Sequence, residues 1–304
     1  MVSKKAQKTL VAVLFSLTLI ASSVCFGENP HLKGRSVGEY LQAISVNIQA
    51  GPAQGSGTIF IIPVEGENHA FILTAAHVVR HLRRTREYHD QGDRKTAIYY
   101  DDATVVQEQL SKGRVVGKVS YDAKVLTVDS VRDIALLLVR KPDAFQDSGY
   151  FYPHDIVPVG TAVFHCGAPG GIEIGGSASL TNGIISRLGV KITDYTPSEY
   201  AVFDQVTCPA LGGSSGGLVA TCDEGAFVGM ITLGLSGSSN FSWMVPIRMI
   251  RRWVQDLKIE WLMEPEKKVT WEQIHAIPLE VEKPQVRTGV AKEEIESEII
   301  QRIR

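Results

Sequence analysis

Short apolar segments recur along most of the chain, and this pattern most narrows the folds that it can adopt. Gly, Pro, Asn and Asp residues separate the segments, and no amphipathic helices alternate with them. Short strands at this spacing indicate an antiparallel barrel or sandwich, whereas a parallel sheet needs helical crossovers. The segments that predict strands are residues 44–48, 55–62, 71–74, 96–100, 114–119, 124–128 and 134–139 in the first half, and residues 161–165, 179–188, 200–206, 218–221, 226–233 and 241–245 in the second.

Length and charge fit an ordinary globular protein. The chain has 304 residues, of which 44% are hydrophobic and 21% are charged, enough for one large or two moderate domains. A net charge of −2 gives no overall field for nucleic acid or an anionic membrane, so neither is expected as a partner. The basic run of residues 80–86 is soon followed by acidic residues and predicts a solvated loop.

The N-terminus carries the pattern of a secretory signal peptide over residues 1–27. Three lysines precede an apolar run of residues 10–20, which gives way to small residues. The apolar run is too short for a membrane span of about 20 residues, so no stable span is expected once the signal is removed. A periplasmic or extracellular location follows. Lipidation at Cys25 stays an alternative to cleavage after Ser23, Cys25 or Gly27.

The rest of the chain divides into three parts. Residues 28–145 predict a lead-in and a first barrel, and residues 146–263 predict a second barrel with a packing helix that begins after Pro246. Apolar residues on one face indicate that helix. Residues 264–304 are charged and punctuated by proline, which predicts a flexible extension that ends in a short amphipathic helix and could contact a partner.

Three cysteines remain beyond the signal peptide, an odd number for an oxidising compartment. Cys208 and Cys222 each lie seven residues from Ser215, so one alternative is a disulfide between them beneath that residue. The other is that these two and Cys166 are all small buried core residues. No Cys-x-x-Cys pair is present, and no structural zinc site is expected.

Residues 211–219 (Leu-Gly-Gly-Ser-Ser-Gly-Gly-Leu-Val) predict a nucleophile held in a glycine turn. Glycines before and after Ser215 let the backbone turn sharply and leave room for a substrate. The amides of Gly213 and Ser215 then converge on one oxygen as an oxyanion hole. Glycine and serine are also common in ordinary loops, so the motif depends on a base and an acid elsewhere.

His77 is the candidate base, because it follows the strand of residues 71–74. A buried core histidine is the alternative. Metal binding with His81 is not expected, since Val78 stands where a metalloprotease helix needs glutamate. Asp133 is the candidate acid, because a carboxylate at the start of a strongly apolar strand is poorly explained by solubility. Two competing acids lie in more polar, turn-like settings, Asp122 and Asp129.

The order His77, Asp133, Ser215 is that of chymotrypsin-like enzymes. The surrounding motifs, Thr-Ala-Ala-His, Asp-Ile-Ala-Leu and Gly-Ser-Ser-Gly-Gly, resemble those of trypsin-like serine peptidases. Finer motifs are similar to the bacterial HtrA/Deg-type and glutamyl-endopeptidase-type branches, namely residues 55–57 (Gly-Ser-Gly), 182–186 and 241–246. The resemblance covers residues 46–262.

The resemblance implies an all-β fold of two six-stranded antiparallel barrels, with the site between them. It implies Ser215 as nucleophile, His77 as general base and acid, and Asp133 as the group that orients the imidazole. Polypeptide substrates are implied, with no cofactor and no metal. Contacts to substrate are expected from Leu211, Thr232, Leu233 and Gly234, and Thr232 is expected to bond near Asp133. Apolar residues around the expected pocket predict cleavage after small or medium apolar residues.

Three departures from the family pattern qualify the resemblance. Leu218 replaces a proline that often follows the two glycines, and no Ile-Val-Gly-Gly-like activation site follows the signal. The chain leaves no room for the PDZ domain that usually follows an HtrA/Deg catalytic domain, so regulation of that type is not expected. A catalytically inactive binding or scaffold protein with a protease fold is the alternative function, although neither the triad nor the glycine turn is substituted.

Overall fold

The computed structural model describes residues 29–90, 93–111, 113–171, 178–191, 202–234 and 240–281. The elements of its first half, in chain order, are α1 (Val37–Ala43), β1 (Ser45–Ala50), β2 (Ala53–Val64), β3 (Glu67–Thr74), α2 (Ala76–Val79), a 3-10 turn (Arg80–Leu82), β4 (Arg83–Asp90), β5 (Asp93–Tyr100), β6 (Ala103–Ser111), β7 (Arg114–Asp129) and β8 (Ile134–Val139). Six of the strands form a closed antiparallel barrel in the order β1-β2-β3-β8-β7-β6, and β4-β5 is a separate hairpin.

A second closed barrel follows in the order β10-β11-β14-β13-β12-β9. The prediction of two six-stranded antiparallel barrels is therefore confirmed. The elements of this half are β9 (Ala162–Gly167), β10 (Ser179–Val190), β11 (Phe203–Val206), β12 (Leu218–Thr221), β13 (Phe227–Gly234), β14 (Ser242–Pro246), α3 (Ile247–Leu257), a 3-10 turn (Glu260–Leu262) and α4 (Trp271–His275).

Strands β2, β3 and β8 of the first barrel are buried on both faces over most of their length, which explains their continuous apolar sequence. Ile59 pairs with Ile72 across β2 and β3 and faces the barrel interior, whereas the next pair, Phe60 with Phe71, faces a core shared with the second barrel. Successive side chains of a strand point to opposite faces, so both faces need apolar residues here.

Helix α3 begins directly after β14, as predicted, and its apolar face packs on the second barrel. Ile247, Ile250, Trp253 and Val254 are buried in the shared core. The helix ends at Lys258, which takes a left-handed conformation with φ of 58° and closes the last turn.

Several elements in the first half differ from the prediction. Helix α1 was not expected, and it is stabilised by a capping box between Ser36 and Glu39. Strand β6 was also missed, and β7 is one strand where two were predicted. Pairing with β6 runs without a break from Ala123 to Gly117, so β7 continues through its polar middle.

The basic run of residues 80–86 is not a loop as predicted. It enters the exposed hairpin β4-β5, in which Arg94 pairs with Glu87 and Lys95 pairs with Asp90. Opposite charges on neighbouring strands stabilise such a pairing without a buried face.

Residues 264–281 pack on the first barrel, so the prediction of a flexible extension is wrong for this segment. Val269 and Ile274 are buried, and Val269 forms a bridge with Val64. A second bridge joins Glu280 to Val128. Apolar residues spaced too irregularly to predict an element cover the barrel here. The predicted signal peptide and residues 282–304 lie outside the described residues. Among the residues that the structure describes, no helix is long and apolar enough to cross a bilayer.

Candidate active site

His77 lies on the one-turn helix α2, directly after strand β3. Its Nδ1 is 2.8 Å from Asp133 Oδ2 and 3.1 Å from Oδ1, so the neutral imidazole donates its Nδ1–H to the carboxylate. This tautomer leaves Nε2 as the acceptor. The His77 side chain is 40% exposed, and none of the described residues hydrogen-bonds to Nε2. The nitrogen is therefore open to take a proton from a neighbouring hydroxyl.

Asp133 is held by donors from both barrels. Besides the imidazole, its carboxylate accepts the backbone N–H of His77 at 2.9 Å and the hydroxyl of Thr232 from β13. Its φ of 59° is left-handed, a conformation that Asp tolerates better than most residues. With a side chain only 14% exposed, the carboxylate stays in a fixed position against the imidazole. The predicted bond from Thr232 is present.

The competing acids serve other purposes. Asp129 Oδ1 accepts the backbone N–H groups of Val131 and Arg132, and its Oδ2 accepts from the Arg132 guanidinium. These bonds hold the turn that leads into β8. Asp122 is exposed on β7.

Ser215 lies in a turn between β11 and β12 that contacts the first barrel. Its carbonyl accepts the N–H of Ser56 at 2.7 Å, and the N–H of Gly216 donates to Ile231 O at 2.7 Å. Gly216 has φ of 81°, and a Cβ there would overlap the Ser56 carbonyl and the Thr74 hydroxyl. Only glycine fits this position. The close approach places the turn against the end of β3, three residues before His77.

The peptide between Gly212 and Gly213 is oriented by its carbonyl. Gly212 O accepts the N–H of Gly170 at 2.6 Å, and in a trans peptide the N–H of Gly213 points the opposite way. No described residue accepts a hydrogen bond from the amides of Gly213 or Ser215. Both are therefore free to donate to an oxyanion.

Ser214 is unlike its neighbour Ser215. It is only 1% exposed, and its hydroxyl accepts the N–H of Leu211 at 3.3 Å. The hydroxyl that can meet a substrate is that of Ser215, which is partly exposed.

His165, on β9, lies beneath the glycine turn and was not singled out from the sequence. Its Nδ1 is 3.0 Å from Leu218 O, and a Cβ on Gly217 would overlap the imidazole. Complete burial lowers the pKa of His165 to about 4, so the ring is neutral and donates Nδ1–H to that carbonyl. The second-half strand that contains it was predicted, but no motif marks a histidine as a support for a turn.

The residues expected to contact substrate differ in their surroundings. Leu211 is 64% exposed, and Leu233 and Gly234 are partly exposed at the end of β13. Thr232 is nearly buried, and its hydroxyl is used on Asp133. Two neighbouring apolar residues, Ala210 and Ile231, are buried.

Cys166, Cys208 and Cys222 are all unpaired thiols, and no disulfide joins Cys208 to Cys222 in the structure. Burial raises the pKa of Cys166 and of Cys208 to about 12. Thiols held neutral in this way act as small apolar core residues.

Two closed six-stranded barrels define the fold of the protein, and the contact of His77 with Asp133 lies where they meet. Residues 55–230, more than half of the chain, match the trypsin-like peptidase domain family, and the chain belongs to this family.

Several solved structures share the fold at low sequence identity. Deg5 is 22% identical with a TM-score of 0.50, over 71% of this chain and 89% of that one. The HtrA-type protease AlgW with tripeptide is 17% identical with a TM-score of 0.51, over 73% and 61%. Rv3671c from M. tuberculosis H37Rv, as the inactive form of a serine-to-alanine mutant, is 18% identical with a TM-score of 0.51, over 75% and 93%. No curated protein sequence matches the chain.

Proposed function

We propose that this protein is an exported serine endopeptidase that hydrolyses peptide bonds through an acyl-enzyme. The observation that carries the proposal is the contact of 2.8 Å between His77 Nδ1 and Asp133 Oδ2, which leaves Nε2 as a base on the side away from the carboxylate. Membership of the trypsin-like peptidase family supports the same reaction.

Each step assigns a proton and a bond to a named group. His77 Nε2 takes the proton of Ser215 as its Oγ attacks the scissile carbonyl. The amides of Gly213 and Ser215 bind the resulting oxyanion. The imidazolium, stabilised by Asp133, then gives its proton to the leaving amine as the C–N bond breaks. Water then attacks the acyl carbon as His77 Nε2 takes one of its protons. The bond between the acyl carbon and Ser215 Oγ breaks, His77 returns the proton to that oxygen, and the acid product leaves.

The substrate class follows from the residues at the edge of the site. Leu211 and Leu233 are apolar and at least partly exposed, and both are uncharged. We propose unfolded or extended polypeptides as substrates, with cleavage after small or medium apolar residues. The predicted signal peptide over residues 1–27 supports export to the periplasm or beyond the cell.

The test is the cleavage of a denatured, alkylated polypeptide at neutral pH, with the new peptide termini read by mass spectrometry. The protein should release peptides that end in small or medium apolar residues, and Ser215→Ala should release none. Ser186→Ala is the matched control, because its hydroxyl bonds to Gln205 on the outer part of the second barrel. A folded protein with no cleavage would favour a binding or scaffold role. Cleavage dominated by Glu, Lys or Arg would contradict the proposed specificity.

A further inference from the structure

We propose that Ser56, on strand β2 of the first barrel, is a positioning residue that holds the oxyanion-hole peptide of the second barrel. This inference rests on the proposed function and adds a residue to its machinery. Ser56 contacts neither the imidazole nor the carboxylate, so it acts through the glycine turn.

Every polar group of Ser56 is used in contacts at the junction of the barrels. Its N–H donates to Ser215 O at 2.7 Å, and its hydroxyl donates to Gly213 O at 2.7 Å. The same hydroxyl accepts the N–H of Ala168 at 2.8 Å, and the Ser56 carbonyl accepts from the Thr74 hydroxyl at 2.7 Å. The residue is completely buried, so no water replaces these bonds.

The Ser56 hydroxyl holds the peptide between Gly213 and Ser214 through its carbonyl oxygen. Gly212 O is already held by Gly170 N–H, and Gly213 O is held by Ser56. The carbonyls on both sides of the Gly213 Cα are therefore fixed. Gly213 has φ of 93°, and a glycine has few steric limits of its own, so these two bonds determine where its N–H points.

The hydrogen bond from Ala168 N–H to the Ser56 hydroxyl connects the groups that hold Gly212 O and Gly213 O. Ala168 and Gly170 belong to the same segment after β9, and that segment meets both the Ser56 hydroxyl and Gly212 O. Without the hydroxyl, the buried N–H of Ala168 would lose its acceptor, and Gly213 O would lose its donor. The turn would then relax and rotate the Gly213 amide away from the oxyanion.

Removal of the hydroxyl should therefore slow the chemical step more than it weakens substrate binding. An oxyanion bond forms in the transition state and not in the bound substrate, so kcat falls while KM changes little. Loss of one oxyanion donor in another protease lowers kcat by about 10² to 10³. We expect Ser56→Ala to lower kcat by about 10²-fold, since the donor is misplaced and not deleted.

Ser148→Ala is the matched control for this variant. The Ser148 hydroxyl also accepts a backbone N–H, that of Ile61 at 2.9 Å, and donates to a backbone carbonyl, that of Gly149 at 3.1 Å. It lies in the connector between the barrels, away from the glycine turn. Ser56→Thr keeps the hydroxyl and should restore a large part of the rate.

The experiment compares these variants with the unaltered protein by peptide hydrolysis, by the rate of reaction with a fluorophosphonate, and by amide hydrogen exchange over the whole chain. Ser56→Ala should show the loss in kcat, slower phosphonylation, and faster exchange confined to residues 209–218 and 167–171. The control should match the unaltered protein.

Two outcomes separate this inference from the proposed function. Normal hydrolysis together with unchanged exchange in a folded Ser56→Ala protein would overturn the role of Ser56. An unaltered protein that neither hydrolyses peptides nor reacts with the fluorophosphonate would overturn the proposed function, and hydrogen exchange would still decide whether Ser56 holds the turn. A rise in KM at constant kcat would also contradict the positioning role.

Discussion

The two barrels each place a histidine beside the junction, and the two side chains have opposite surroundings. His77, from the first barrel, is 40% exposed and faces the carboxylate of Asp133. His165, from the second barrel, is completely buried beneath the glycine turn and faces only the carbonyl of Leu218. The carboxylate stabilises a proton on His77 during a reaction, whereas His165 bonds to no carboxylate among the described residues.

The difference shows that the partner and the solvent, and not the residue type, decide what a histidine can do. A carbonyl fixes the tautomer of His165 but does not favour its charged form, so the ring supports the turn as a neutral group. Its Nε2 is buried and has no partner among the described residues. His77 has one nitrogen held and one exposed, which is the arrangement that acid–base chemistry requires.

The largest effect expected from this comparison is the loss of activity in His77→Ala. Removal of the base should lower kcat by a factor on the order of 10⁶, as loss of the equivalent residue does in another serine protease. The free energy of unfolding should change little, because the side chain is partly exposed. Peptide hydrolysis and urea unfolding measure the two quantities. A variant that keeps more than a hundredth of the activity would place the base elsewhere.

The second-largest loss of activity is expected when a neutral amide replaces the Asp133 carboxylate. Asp133→Asn should lower kcat by about 10⁴, because an amide nitrogen can face Nδ1 and favour the wrong tautomer of His77. Asp129→Asn is the comparison, since that carboxylate holds a turn and has no contact with the imidazole. It should affect the free energy of unfolding, with kcat close to normal in the folded fraction.

His165 should make the protein less stable in acid. Its pKa is about 4 in the folded protein and about 6.5 in the unfolded chain, so the unfolded chain binds more protons between these pH values. The free energy of unfolding should therefore fall as the pH falls from 6.5 to 4, by at most about 3 kcal/mol. Below pH 4 this contribution falls no further.

Urea unfolding of the protein and of His165→Gln over that pH range isolates the contribution of His165 to the free energy of unfolding, because all other titratable groups are the same in the two proteins. The difference in unfolding free energy between the two should change with pH in the stated direction. A difference that does not vary with pH would mean that His165 is protonated, or solvated, in the folded protein.

The smallest effect concerns the donor that the second barrel supplies to Asp133. Thr232→Val removes the hydroxyl and keeps the shape of the side chain. A hydrogen bond to a charged group contributes about 1.5 to 3 kcal/mol, so kcat/KM should fall by about 10-fold to 100-fold. Peptide hydrolysis measures it, with Thr181→Val as the control, since its hydroxyl bonds to Pro209 O. An unchanged kcat/KM would show that His77 alone orients the carboxylate.

The sequence allowed much of the fold to be predicted, because doubly buried strands leave long apolar runs such as residues 134–139. The exposed strand β4 and the long strand β7 were not predicted correctly, since cross-strand pairing, and not local apolarity, determines them. The residues of the candidate triad were found from their order and neighbouring motifs. The roles of Ser56 and His165 were not predicted, because no sequence pattern indicates which distant backbone groups their side chains contact.

The most direct test of the central claim is the location of a covalent adduct. The protein is treated with a fluorophosphonate and digested, and the modified residue is identified by mass spectrometry. The account predicts one adduct, on Ser215 and not on Ser214, which is absent in Ser215→Ala and formed far more slowly in His77→Ala. An adduct on another residue, or equal labelling of the protein and Ser215→Ala, would contradict it.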